Sequence, residues 1–138
     1  NLLVEQFFPK SPMRILINQR GKDIAHAISH SKLNEAISKI RRDAGAKIIR
    51  RIKIDVEEKL KLASTKAGLL LIEAKERACE NMTATLGKEL ERLEALKNIN
   101  PSVRQEEIVQ LKQRISATQT YIEKSSLELQ GIRVIITT

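Results

Sequence analysis

The chain has 138 residues, with 25 Lys and Arg against 17 Asp and Glu, which gives a net charge of +8. Its one cysteine excludes an internal disulfide, and no apolar run reaches the roughly 20 residues that cross a bilayer, so we expect a cytoplasmic protein without a membrane partner. Aromatic residues make up only 2% of the chain, so Leu, Ile and Ala must build the core, a composition that favours helical packing over a β-sandwich.

The first 30 residues are predicted to be a strand and turn region. In "SPMRILIN", residues 11–18, apolar side chains stand at alternate positions up to Ile17, which is the period of a β-strand. The following "NQRG" ends at Gly21, and glycine tolerates the positive φ that turns often need. The chain begins with Asn1 rather than Met, and its first residues read like the interior of a sequence. We therefore expect it to be a piece of a longer protein.

Residues 31–98 are predicted to form one long helix, with Ser31 as its N-cap. Apolar residues recur every three or four positions from Leu33 to Leu93, which is the period of an amphipathic helix. A glycine inside a helix costs about 1 kcal/mol relative to alanine. The stretch "LASTKAG", which ends at Gly68, is therefore where we predict a bend.

A second helix is predicted over residues 101–130. It follows the stretch "LERLEALKNINPSVRQEE", in which Asn100 can cap a helix and Pro101 suits its first position, where the missing N–H has no partner in any case. Glu106 and Glu107 then favour the positive end of the helix. Two helices joined by so short a turn must run antiparallel.

The terminal stretch "GIRVIITT", residues 131–138, is rich in β-branched residues and is predicted to be a strand that pairs with residues 11–18. The predicted fold is α+β and mainly α: a long antiparallel helical hairpin with a small β-sheet formed by the N- and C-terminal strands. We expect a single domain over residues 1–138. At 1.5 Å per residue the second helix is about 45 Å long and covers only part of the first. Residues 33–62 then either fold back near Gly68 into a three-helix bundle or pack on the strands and on a domain outside this chain.

No catalytic, cofactor-binding or metal-ligating residue is predicted. His26 and His30 have the i,i+4 spacing of two ligands on a helix, but no cysteine or carboxylate completes a metal motif. Cys79 has no accompanying histidine and falls on the apolar stripe, which indicates a core thiol. The phosphate-binding and dinucleotide-binding glycine motifs are absent from the sequence.

One basic stretch, "KIRRDAGAKIIRRIK", is a candidate contact surface. Residues 1–60 hold 13 Lys and Arg against 7 Asp and Glu, a net of +6, and this stretch supplies most of that excess. A row of cations on one helix face suits the phosphates of nucleic acid, with non-specific and salt-dependent binding. A solvated helix face and contact with an acidic protein surface are the alternatives. The candidate residues are Lys39, Arg42, Lys47, Arg50, Arg51 and Lys53.

Two proline-containing stretches and the chain end give the sequence a family resemblance. The pattern F-P-x-x-P-x-R in "FFPKSPMRILINQRGKDIA", the turn "LERLEALKNINPSVRQEEI" and the terminal "GIRVIITT" occur in the family's order and at its distances. Together they resemble the C-terminal region of the RapA family, bacterial RNA polymerase-associated ATPases of the SWI/SNF type. The resemblance runs through essentially the whole chain.

The resemblance implies an accessory C-terminal domain of a bacterial, cytoplasmic protein. Members of that family bind RNA polymerase and use ATP hydrolysis, with Mg²⁺, to help recycle polymerase stalled after termination. Their ATP-binding and helicase motifs lie upstream, so no catalytic residue carries over to this chain. We therefore expect structural support and docking, on core polymerase or on the motor domains, with no activity of its own.

Two other functions stay open at this point. The basic stretch favours an autonomous helical module that binds DNA or RNA non-specifically. The apolar seam of the second helix favours a coiled-coil adaptor that dimerises, although Thr118 and Ser125 at core positions weaken that seam.

Overall fold

The computed structural model describes residues 4–8 and 12–137. A 3₁₀ turn spans Val4–Phe7 and a π-helical turn spans Thr83–Gly87. The α-helices are α1 (His30–Ala36), α2 (Arg42–Arg51), α3 (Lys53–Met82), α4 (Lys88–Ile99) and α5 (Gln105–Glu123).

The chain divides into two compact units. Unit 1 holds the described residues among Asn1–Pro12 together with Leu70–Leu127, and unit 2 holds Met13–Leu69 with the described residues among Glu128–Thr138. The helix α3 contributes residues to both units. This division does not test the predicted single domain, which stays a prediction.

The predicted β-sheet is wrong: the described residues are mostly helical and contain no strand. Their one strand-like pairing is an isolated antiparallel bridge between Ile17 and Asp23, which lie six positions apart. Residues 131–137 contain no helix, strand, turn or bend, and Ser11 and Thr138, the outer ends of the predicted strands, lie outside the described residues. An isolated two-stranded ribbon is only marginally stable in water. On the N-terminal side, the backbone groups form hydrogen bonds within a local turn instead.

Those local bonds form the predicted turn at "NQRG", which is confirmed. The Gly21 N–H donates to the Asn18 carbonyl at 3.0 Å, and the Asn18 side-chain oxygen accepts from Arg20 N and Lys22 N at 3.0 Å each. Gly21 has φ +77°, and a Cβ built on it would lie 3.1 Å from the Leu62 side chain. Backbone freedom and close packing therefore both require glycine at this position.

The predicted long helix is interrupted where the sequence shows no breaker. Helix α1 is capped by Ser29, whose hydroxyl accepts from Lys32 N at 3.2 Å, so the predicted cap at Ser31 is two residues late. The backbone turns extended at Ile37 and resumes helical geometry at Arg42. Residues 37–41 are two isoleucines, one serine, one lysine and one arginine, whose helix propensities differ by only a few tenths of a kcal/mol, so local preference does not decide whether the helix continues.

The helix is not broken near Gly68, where a bend was predicted. Helix α3 continues from Lys53 to Met82 through Gly68, so the chain does not fold back there into a three-helix bundle. A penalty of about 1 kcal/mol for one helical glycine is too small to break a 30-residue ladder of hydrogen bonds.

A wide turn keeps one face of the helix in the core of unit 1. The buried residues Ala74, Ala78, Met82 and Leu86 follow at intervals of four. In a regular helix each such step rotates the side chain about 40° past a full turn, so the fourth residue would drift by about 120°. The π-helical turn Thr83–Gly87 adds a residue to each hydrogen-bonded ring and underwinds the helix, and this keeps Leu86 buried.

Unit 1 is built around an antiparallel hairpin. Lys112 of α5 lies 3.5 Å from Glu94 of α4, and Lys75 of α3 donates to the Glu123 carbonyl at 2.7 Å, so α5 runs back along its predecessors. The core of the unit also includes the 3₁₀ turn at the chain start. Its buried members are Val4, Phe7, Ala78, Met82, Leu86 and Ile122.

The turn of the hairpin differs in detail from the prediction. Asn100 caps a short turn rather than a helix, because its side-chain oxygen accepts from Ser102 N at 3.0 Å and from the Ser102 hydroxyl at 2.7 Å. Helix α5 begins only at Gln105, four residues after Pro101. It ends at Glu123, where Ser125 donates its hydroxyl to the Ile122 carbonyl at 2.5 Å. The predicted second helix, residues 101–130, is therefore shorter at both ends.

Candidate functional site

The candidate site lies on α2, a short helix of unit 2 with strongly separated polar and apolar faces. Asp43 lies in its first turn and Arg50 and Arg51 in its last turn, so both ends match the helix dipole. Ile52 follows with φ −103° and ψ 15°, outside helical geometry, although its N–H still donates to the Ile48 carbonyl at 3.2 Å. The dipole match and this last bond explain why so short a helix forms.

The structure brings three of the predicted cations together. Lys47, Arg50 and Arg51 are spaced i, i+3 and i+4, which places them on neighbouring positions of one helix surface. They rim a shallow open depression whose floor is formed by Ala44 and Ile48. We call these three residues the α2 cation cluster.

The cations of the cluster lie exposed and without carboxylate partners. Among the residues that the structure describes, no carboxylate lies within 4.0 Å of Lys47, Arg50 or Arg51. Three like charges within about one helical turn repel one another, and the Debye length of about 10 Å at 0.1 M salt does not screen them fully. An anion bound over the depression would relieve that repulsion.

The other three predicted site residues lie apart from the cluster. Lys39 is in the non-helical residues between α1 and α2, so it does not share the helix face assigned to it. Arg42 is the first residue of α2 and is exposed. Lys53 begins α3 and lies 3.9 Å from Glu57, a weak exposed pair of the i,i+4 type. The proposed row of cations is therefore shorter than predicted.

Sequence reasoning missed the floor of the depression. Ala44 and Ile48 carry the helical apolar period, and this pattern predicted only burial, but both residues are half-buried beside the cations. Helical spacing contained the signal, because positions 44, 47, 48 and 51 fall on one surface of a helix.

The two histidines and the cysteine lie in unrelated places. His26 is in a turn and His30 begins α1, where its Nε2 is 2.9 Å from the Asn34 side-chain nitrogen. Cys79 packs against the core of unit 1, and burial first, then the nearby Glu123 carboxylate, raise the pKa of its thiol. Across residues 4–8 and 12–137, no three His, Cys, Asp or Glu side chains are grouped to hold a metal.

Asp23 organises the N-terminal turn of unit 2. Its carboxylate accepts from Leu16 N at 3.1 Å and from Ala25 N at 3.0 Å. Burial by itself raises the pKa of Asp23, but these two backbone donors, helped by the positive charges of Lys66 and His26, lower it below its usual value. The aspartate is thus a structural anion in the fold of unit 2.

Unit 2 also exposes several large apolar side chains. Ile54 is 74% exposed and Ile40 is 55% exposed. The same unit has further exposed members at Ile49, Leu60, Leu62 and Leu69. Exposed apolar side chains that lie together on a surface mark contacts with other proteins, so these residues are candidates for such a contact.

The helices of the described ranges include none that is both long and apolar enough to cross a membrane.

Comparison with known proteins places the chain in a family. A family model described as "RNA polymerase recycling family C-terminal" matches residues 1–137. The protein named RNA polymerase-associated protein RapA is 29% identical over 133 residues in Vibrio campbellii, 32% over 133 in Vibrio cholerae and 31% over 138 in Vibrio parahaemolyticus. Each match covers 96% of this chain and 14% of the relative, so the chain spans about one seventh of the length of these relatives. The chain therefore belongs to the RNA polymerase recycling family, as a member of its C-terminal domain family.

Proposed function

We propose that this chain is an accessory docking domain of a RapA-like, RNA polymerase-associated protein of the bacterial cytoplasm. The observation that carries the proposal is the extent of the match, which takes in nearly all of this chain and 14% of relatives whose name states association with RNA polymerase. The domain supports and docks the longer protein, and it has no catalytic activity of its own.

The exposed apolar residues of unit 2 support docking. Ile49 and Ile54 are 46% and 74% exposed, and burying one such side chain contributes about 1.5–3 kcal/mol. Core polymerase and the motor domains of the longer protein are the two surfaces that the proposal considers. In either case the contact removes apolar area from water.

ATP and Mg²⁺, which the family implies, do not fit the residues of this chain. Its sequence has no glycine-rich phosphate loop, and the described residues offer no group of three carboxylate, histidine or cysteine ligands. We therefore assign nucleotide and metal to other parts of the longer protein.

The test measures binding of this chain to immobilised core RNA polymerase. Charged substitutions on the apolar surface, Ile49→Glu and Ile54→Glu, should weaken binding at least tenfold, since a charge in an apolar contact is costly. Ile99→Glu is the matched control, because Ile99 is 82% exposed and lies in unit 1. Absence of binding by the unsubstituted chain, both to polymerase and to the motor domains, would contradict the docking function. An equal loss in all three variants would contradict its assignment to unit 2.

A second candidate function is non-specific binding of nucleic acid, and the α2 cation cluster is the observation that favours it. Three exposed cations without carboxylate partners can each neutralise one phosphate. With Z of about 3, the affinity should fall about 40-fold between about 50 and 200 mM salt. No aromatic side chain lies in α2, so base stacking adds nothing and DNA and RNA should bind alike.

This candidate is tested by fluorescence anisotropy with a labelled duplex of about 20 base pairs at those two salt concentrations. The triple variant Lys47→Gln, Arg50→Gln and Arg51→Gln should abolish the salt-dependent binding. The control is a triple variant of equal charge change that alters exposed cations of unit 1: Arg77→Gln, Lys88→Gln and Lys124→Gln. If both triple variants weaken binding equally, net charge rather than the cluster is responsible.

A further inference from the structure

The C-terminal end of the described chain runs without a helix, turn or bend and forms no backbone hydrogen bond with its surroundings. We call residues 130–137 the C-terminal extended segment. Within the described residues, no backbone N–H or C=O beyond Ser125 takes part in a backbone–backbone hydrogen bond. The segment nevertheless contains Ile132, Val134, Ile135 and Ile136, the residue types that prefer strands. Its residue types favour a strand, its backbone contains no helix, turn or bend, and the described residues supply no neighbouring strand.

The segment is held to unit 2 by its side chains rather than by its backbone. The Arg133 guanidinium donates to the Asn34 side-chain oxygen of α1 at 2.6 Å. Val134 and Ile135 are half-buried, while Ile132 and Ile136 are 56% and 39% exposed. The segment therefore presents apolar side chains and free backbone groups together, which is the combination that proteins normally avoid on an unpaired edge.

We infer that the C-terminal extended segment adds as a strand to the edge of a β-sheet in the remainder of the longer protein that carries this domain. The inference rests on the proposed function, in which this chain is one part of such a protein. Free N–H and C=O groups on a β-branched segment are satisfied by another extended backbone, and strand addition joins both features in one contact. An apolar cleft or a helix would leave the backbone groups unpaired.

The occupant is a sheet of the same polypeptide rather than a second copy of this chain. Two copies of the segment would make an isolated two-stranded ribbon, which is marginal in water, whereas addition to an existing sheet produces three or more strands. The relatives also contain about seven times as many residues as the matched region, so most of each such polypeptide lies outside it. The linkage within one chain raises the effective concentration of the contact.

Hydrogen exchange tests the inference directly. Amides of residues 131–137 are compared, by mass spectrometry, in this chain alone and in the longer protein. We expect fast exchange at all of these amides in the chain alone and about 100-fold slower exchange in the longer protein at alternate amides, which face the partner strand, since laddered amides open rarely. Equal exchange in the two samples would overturn the inference. Slow exchange that appears in this chain alone when its concentration is raised would instead identify a second copy as the partner, and would also overturn it.

Substitutions separate strand pairing from apolar contact. Gly131→Pro and Ile132→Pro each remove one N–H, and because adjacent N–H groups of a strand point to opposite edges, one of the two must remove a partner-facing donor. Ile132→Thr keeps the N–H and the β-branched shape. Loss of protection at residues 133–137 in a proline variant but not in Ile132→Thr is expected; equal loss in Ile132→Thr and the proline variants would show side-chain contact only.

The same preparations distinguish this inference from the proposed function. Polymerase binding is measured on the longer protein alongside exchange. Protection without polymerase binding leaves the strand addition standing and refutes docking on polymerase, whereas polymerase binding without protection refutes the strand addition alone.

Discussion

The core of unit 1 makes a quantitative prediction about Ile122. This side chain is fully buried and packs with Phe7, Ala78 and Met82. The substitution Ile122→Ala removes three carbon atoms, and at about 0.8 kcal/mol each the transfer term is about 2.4 kcal/mol. The neighbours belong to different segments, so they close the cavity only partly, and a further cavity term follows. The expected loss in the free energy of unfolding is about 3–4 kcal/mol.

The chain contains a matched control of the same residue type. Ile99, the last residue of α4, is 82% exposed. Ile99→Ala removes the same three carbon atoms but no buried contact, and alanine is the better helix former. Its effect should stay within about 0.5 kcal/mol.

The assay is urea denaturation at 25 °C, followed by far-UV circular dichroism. The shift in the free energy of unfolding is taken from the transition midpoint and the slope of each variant. Should Ile122→Ala be too unstable to give a folded baseline, Ile122→Val, with an expected loss of about 0.5–1.5 kcal/mol, replaces it. Equal effects at positions 122 and 99 would refute the described core of unit 1.

Other expectations concern the glycines, Asp23 and Cys79. Gly68→Ala should raise the free energy of unfolding by about 0.5–1 kcal/mol, because a Cβ there meets no atom within 4 Å. Gly21→Ala should lower it, because Gly21 has φ +77° and lies close to Leu62. Urea titration of both variants measures these opposite changes. Since the folded-state pKa of Asp23 is lowered, its contribution to stability is present above the unfolded-state value of about 4 and is lost as the pH falls through the folded pKa. Asp23→Asn should flatten the pH dependence of unfolding below pH 5 or so, and an unchanged profile would contradict the assigned role. Because the pKa of the Cys79 thiol is raised, iodoacetamide at a pH of about 8 should alkylate it more slowly than free cysteine, with quantitation by mass spectrometry.

The candidate site shows how far periodicity alone reaches. Charge and helical spacing were sufficient to select the basic stretch and to predict that its cations lie exposed. The prediction extended the helix through Lys39, because nothing between Ile37 and Arg41 is a glycine or a proline. The structure interrupts the helix there. The helical rotation of about 100° per residue therefore does not place Lys39 on the same face as the cations of α2. Propensities that differ by a few tenths of a kcal/mol per residue do not decide such a break.

The β prediction failed for a different physical reason. Residues 131–138 have strand composition, and the described part of them contains no helix, turn or bend, but it forms no strand. A strand exists only where a second backbone supplies hydrogen bonds, and the N-terminal candidate closes its own turn around Asn18 and Asp23 instead. Pairing is a non-local property that composition does not contain.

The sequence by itself determined the helical character of the chain, the turn at Gly21, the reversal near Pro101 and the basic surface of α2, because each follows from propensity, spacing or φ at neighbouring residues. It also contained the family, in two proline-bearing stretches and the chain end. Only the tertiary structure decided that Phe7 completes the core of the hairpin and that a π-helical turn carries Leu86 back to it. Only the tertiary structure, too, left the C-terminal extended segment unpaired. These outcomes depend on which surfaces, distant in sequence, bury apolar area against each other. The free energy of that burial is not determined by any local stretch of residues.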